Sequence, residues 1–199
     1  MVQNAQIKTQ STPELREQPL QYLVFPLDDD LYGLNIKSIR EIIEFCDITD
    51  VPLVPDFIRG VLNLRGRVVP VIDLQCRFTG TLSLINKRSC IVILEVQTEH
   101  TDLEMGILVD AVNEVIDIPT DQIEPAPSFG TKIRTDFIEG MGKADSGFII
   151  LLQIDKVLSI DEMLLLQAAN KEIDETVKLE QADNMKYEAA DDNTDNTGE

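Results

Sequence analysis

The chain has no tryptophan, one histidine and three cysteines among its 199 residues. An activated nucleophile usually needs a base beside it, and imidazole is the commonest one. The single candidate, His100, lies in the polar run Gln97-Thr98-Glu99-His100-Thr101-Asp102, which reads as a solvent-facing loop. Cys46, Cys76 and Cys90 form no C-x-x-C pair and are odd in number. Neither a disulfide framework nor a zinc site is expected, and reduced structural thiols are. Basic residues are scarce as well: 17 Lys and Arg stand against 36 Asp and Glu, a net charge of −19. Phosphate backbones and anionic lipid surfaces both require a cationic face, so nucleic acid is not an expected partner. No apolar run approaches the ~20 residues that span a bilayer, so direct membrane insertion is not expected. Met1–Pro19 lacks the apolar segment of a signal peptide and reads as a flexible leader. A cytoplasmic location follows as the expectation.

Signature motifs of enzymes are missing too. There is no G-x-S-x-G elbow, no Walker loop and no H-E-x-x-H. Gly140-Met141-Gly142 is a lone G-x-G, and Asp28-Asp29-Asp30 reads as a solvated hairpin loop, not a cation site. No catalytic residue, cofactor or metal ligand is assigned. An enzyme built on small barrels would need convergent polar groups, and an oligonucleotide-binding barrel a basic aromatic stripe. Neither is visible.

What the chain has in abundance is short Val/Ile/Leu-rich runs between turn residues. Strands are expected at Gln21–Leu27, Leu31–Ile36, Ile39–Phe45, Gly60–Leu64, Val68–Leu74, Ser89–Gln97, Leu103–Val109, Val112–Ile118 and Gly147–Ile154. Such spacing points to an all-β fold of barrels or a sandwich. Pro70 has no N–H for a ladder, so its strand should carry an edge, a bulge or a bend there. Pro52 and Pro55 lead into a helical turn at Asp56–Arg59. Ser159 and Glu162 form a capping box, and apolar periodicity then predicts a helix from Asp161 to about Leu179, within a 161–180 segment. Residues 181–199 read as an acidic disordered tail; Ser159–Glu199 carries 12 acids and 3 bases. No internal repeat of fixed period is visible. The organisation is thus a leader (1–19), a β domain (20–160), a helix (161–180) and a tail (181–199).

The most informative stretch runs from Phe57 to Leu74: Phe-Ile-Arg-Gly-Val-Leu-Asn-Leu-Arg-Gly-Arg-Val-Val-Pro-Val-Ile-Asp-Leu. It reads as a strand, a glycine turn and a second strand. Arg59, Arg65 and Arg67 crowd into it, turned toward carboxylates, with Arg65 placed to meet Glu41. Alone, these arginines fit a solvated edge equally well.

This segment resembles the signature of the CheW family of chemotaxis coupling proteins, I-x-G-V-x-N-L-R-G-x-x-V-P-V-x-D-L. Tyr22–Phe25, Tyr32–Ile36, Ile39–Ile43, Met105–Val112 and Gly147–Leu158 resemble further family blocks in the same order, so the likeness covers Gln21 to Leu158. The resemblance implies two small SH3-like five-stranded β-barrels side by side. It assigns Gly33–Arg77 to one barrel and Lys87–Ile154 to the other, completed by a strand at Tyr22–Leu27. It implies a non-enzymatic adaptor between the cytoplasmic tip of a methyl-accepting chemoreceptor and the regulatory domain of a CheA-type histidine kinase, recruited to membrane receptor arrays. Type IV pilus motility or phototaxis is the alternative setting. The residues carried over are Leu23, Ile36, Ile39 and Ile42 for a receptor groove. Glu41, Asn63, Leu64, Arg65 and Gly66 are carried over for the signature turn and partner contact. Each groove residue fits a plain core position equally well.

Overall fold

A computed structural model describes residues 18–97, 102–127, 133–144, 147–158 and 162. His100, the leader to residue 17, the acidic tail and the 161–180 helix, apart from Glu162, lie outside the described residues. In chain order the elements are β1 (Leu20–Leu27), β2 (Asp30–Asn35), β3 (Ile39–Glu44), β4 (Ile58–Leu64), β5 (Arg67–Asp73), α1 (Leu74–Thr79), β6 (Cys90–Gln97), β7 (Asp102–Val109), β8 (Glu114–Ile118), β9 (Ile123–Glu124), β10 (Ile138–Ala144), β11 (Gly147–Leu152) and α2 (Ile154–Val157).

They form two sheets, of strand order β3-β6-β7-β5-β4 and β8-β1-β2-β11-β10-β9. The first barrel is therefore a contiguous piece of chain, β3 to β7, set between β2 and β8. This corrects the expected division. The whole β1–β2 hairpin, not one strand, joins the later half, and β6–β7 join the earlier half. The second sheet also has the two-residue β9 beyond its five strands. β10 and α1 answer to no sequence expectation, and Asp56-Phe57 is a turn before β4, not a helical turn.

Strand alternation explains how two barrels share one chain. On β6, Ile91 and Ile93 point into the first barrel, while Val92, Leu94 and Val96 point into the seam between barrels. On β1, Tyr22 and Val24 line the second barrel, while Leu23, Phe25 and Leu27 enter the same seam. Strands buried on both faces read as unbroken apolar runs, which Ile91-Val92-Ile93-Leu94 is. The seam is the largest apolar cluster, and each side chain fully buried there contributes roughly 1.5–3 kcal/mol. Pro70 sits in β5 one residue from a register shift, opposite Ile58–Gly60 of β4.

The barrels are strand-by-strand copies. β4–β5 and β10–β11 have the same register 80 residues apart: Ile58↔Ile72 becomes Ile138↔Leu152, and Leu64↔Arg67 becomes Ala144↔Gly147. Both hairpins slip register at the same place, Ile58/Gly60 and Ile138/Gly140. A literal trace survives in the sequence, Asp-Phe-Ile-x-Gly at 56–60 and again at 136–140. Both barrels also contain one parallel pair, β5 with β7 and β11 with β2. The strands thus run a-b-c-d-e twice, and each copy lends its first hairpin to the barrel closed by the other. The duplication is one of structure without a fixed period, so it does not contradict the expectation of no fixed-period repeat. Loops of unequal length change the offset between copies and hide the period.

Candidate functional site

The signature turn is a two-residue hairpin between β4 and β5. Arg65 and Gly66 both take positive φ, 54° and 84°. Such a turn matches the twist of the flanking strands, and Gly66 adopts it freely. Asn63 Oδ1 accepts a hydrogen bond from the Gly66 N–H at 2.8 Å, fixing the turn from within. Leu64 faces inward and is 8% exposed. The turn therefore presents Arg65 while Leu64 anchors it.

Arg65 Nη2 donates to Glu41 Oε2 at 2.7 Å. β3 and β4 are the two edges of the first sheet, so this pair reaches across the gap that closes the barrel. Arg67 pairs with Glu104 at 2.6 Å, and Arg40 pairs with Glu95. Glu95 and Glu104 are directly opposed on β6 and β7, an unfavourable like-charge pair unless each has its own cation. Three arginines and three glutamates thus make a neutral charged face on an otherwise acidic chain. The guanidinium side chains are the more exposed partners, 56%, 73% and 58% against 31%, 25% and 22% for the carboxylates.

The apolar candidates separate by position. Leu23 is 2% exposed in the seam. It has no surface to offer a partner, and its place is core. Ile39 is partly buried against the seam cluster. The register shift between Ile39 and Glu41 supplies the bend that puts Ile36, Ile39 and Ile42 out of a single strand phase. Ile36 opens the short 3-10 turn Ile36–Ser38 that crosses from one barrel to the other. It lines a groove with Leu20, Gln21 and Asp117 of the second barrel. Ile42 is 44% exposed and pairs with Val92, a seam residue, so it stands on the rim of the seam.

Val115, which the sequence reading did not select, occupies the matching place on the other barrel. It is 51% exposed and pairs with Leu23, another seam residue. Ile42 and Val115 correspond in the two copies, since β3 pairs with β6 as β8 pairs with β1. Recognition of the repeat would have found it. Large apolar side chains held out to water on both rims of one seam are a feature that a docking partner would cover.

Among the described residues no group of three His, Cys, Asp or Glu could hold a metal, and no helix is long and apolar enough to cross a membrane. The perturbed titratable groups are buried tyrosines, a few carboxyls and the thiols of Cys76 and Cys90, both raised chiefly by burial. Burial, followed by Glu139, pushes Tyr22 up to about 12. Glu139 is itself raised, chiefly by burial and against the lowering bond from Tyr22. Asp110 is raised by burial and then by Asp73 and Asp28.

Comparison with known proteins agrees with this geometry. A family model described as the CheW-like domain matches residues 21–162. The chemotaxis protein CheW of Klebsiella aerogenes is 34% identical over 151 residues, 76% of this chain and 89% of the relative. That of Thermotoga maritima is 34% identical over 139 residues, 68% and 85% of the two chains. The crystal structure of the scaffolding protein TtCheW from Thermoanaerobacter tengcongensis superposes with a TM-score of 0.66 at 37% identity, covering 77% of this chain and 96% of the other.

Proposed function

The chain belongs to the CheW-like family, and from that premise we propose that it couples the cytoplasmic tip of a chemoreceptor to the regulatory domain of a CheA-type histidine kinase. It is a chemotaxis scaffold and not an enzyme, as its family and its structural neighbour are. The names of its relatives favour chemotaxis over pilus motility or phototaxis.

The observation that carries the reading is the pair of rim residues on one rigid seam. Ile42 and Val115 are exposed beside seam residues of the two barrels, and Ile36 opens the turn that crosses between the barrels. A helical hairpin bearing an apolar stripe is the kind of partner that covers such exposed apolar side chains. The charged face around Glu41 and Arg65 lies on the first barrel and offers exposed guanidinium groups to carboxylates of a second partner. Two separate surfaces on one body meet the requirement of a coupler, which works by holding partners at fixed spacing. Recruitment from the cytoplasm to receptor arrays follows from the same two contacts. Co-purification with both partners tests the proposal: one complex containing all three supports it, and failure to hold both at once refutes it.

A further inference from the structure

Arg77 stands where the two copies meet. It lies in α1, between β5 and β6 of the first barrel, with its side chain only 16% exposed. Its guanidinium carbon sits 4.4 Å from the ring centre of Phe57 and 5.5 Å from that of Phe137. These two phenylalanines are the same position in the two copies, 80 residues apart, so one cation is held between both barrels. Arg77 itself corresponds to Val157 by the same offset, and its Nε donates to the Val157 carbonyl at 2.9 Å. Nη1 and Nη2 form a fork on Glu162, at 2.9 and 3.0 Å. The Glu162 side chain is 18% exposed, so the pair is shielded more than any other arginine pair in the described residues that joins the two halves.

We propose that Arg77 is a clamp that sets the position of the second barrel on the first, with Glu162 as the part of the clamp supplied by the chain beyond that barrel. The apolar seam supplies most of the attraction between barrels, but apolar contact has no preferred direction. A planar fork held at three acceptors and faced by two rings does have one. The clamp breaks the symmetry of the duplication: one copy carries arginine where the other carries valine. A coupler with docking groups on both rims of its seam needs that seam at one width. The inference stands on the geometry alone and does not depend on which partners bind.

Hydrogen exchange measured by NMR on the full chain tests it, comparing wild type with Glu162→Gln and Arg77→Lys. The reporters are the Gln153 N–H, which donates to Phe137 O at 2.9 Å, and the Lys156 N–H, which donates to Gln153 O at 3.0 Å. The controls are the Thr49 and Asn113 N–H groups, which donate at 2.8 and 2.9 Å within each barrel away from the clamp. Both variants should lower reporter protection by about tenfold or more and leave the controls unchanged, as local opening does. Removing residues 171–199, which keeps Glu162, should leave every reporter at its wild-type rate. Unchanged reporters in Glu162→Gln, or equal loss at reporters and controls, would overturn the clamp.

Discussion

Arg65 and Glu41 join the two edges of the first barrel across a 2.7 Å hydrogen bond, from a turn at one edge to the middle of the strand at the other. The pair lies on the surface, with the Arg65 side chain 73% exposed. Its shape matters more than its energy, because exposed ion pairs contribute only about 0–1 kcal/mol.

Arg65→Glu sets a second carboxylate beside Glu41 and beside Glu104's neighbourhood of paired charges. Unfolding in urea should show a loss of no more than about 1 kcal/mol, since the site is solvated. Kinase stimulation in a reconstituted array should be abolished. Normal stimulation by a folded variant would remove this face from the coupling function.

Ile42→Asp and Ile39→Asp separate rim from core. Ile42 is exposed, so its substitution should leave the urea midpoint nearly unchanged and weaken receptor binding more than kinase binding. Ile39 packs against the seam, and a carboxylate there should cost about 1–3 kcal/mol. Equal loss of both partners on changing Ile42 would assign that side chain to folding.

Gly60→Ala and Gly140→Ala test the duplication by its tightest corner. A Cβ at Gly60 would lie 2.2 Å from the Thr49 carbonyl oxygen, and one at Gly140 would lie 2.6 Å from Ile123 Cγ2 and 2.9 Å from the Glu124 oxygen. Gly60 also has φ of 132°, a region closed to alanine, while its clash is with backbone that cannot turn aside. Both changes should destabilise by at least about 1–3 kcal/mol in urea melts, Gly60 more than Gly140.

The two described tyrosines predict an alkaline limit. Burial, followed by carboxylates at Glu139 for Tyr22 and at Asp30 and Asp28 for Tyr32, pushes both up to about 12 from 10.0. The unfolded chain ionises them near 10, so the folded state is favoured fully below that pH. That advantage is lost as pH rises from 10 toward 12. Absorbance at alkaline pH in a Tyr187→Phe background should show these two phenols ionising late and together with unfolding; their ordinary titration near 10 in folded protein would contradict the burial.

How much of this was legible in the sequence differs from element to element. The Asn63–Gly66 turn is readable because glycine chemistry acts locally, while the reach of Arg65 to Glu41, 24 residues away, is readable only from opposite charge and the family resemblance. Apolar runs such as Ile91–Leu94 marked strands, but a strand buried on both faces does not say which barrel owns it. For that reason the sequence pattern alone does not place β6 and β7 in the first barrel, where pairing puts them. β10 escaped because Gly140 and Gly142 weaken a strand pattern; both stand where a Cβ would strike Ile123 or Ile118. Leu23 and Ile42 have similar side chains, and only pairing across strands showed one to be core and the other rim.

The central claim, that one rigid body holds two partners at once, is tested most directly by analytical size exclusion of the purified chain with a CheA-type kinase and a receptor signalling fragment. The account predicts a single three-component peak that survives dilution into the micromolar range, from which Ile42→Asp loses the receptor fragment and keeps the kinase. Two mutually exclusive binary peaks, with each partner displacing the other, would contradict it.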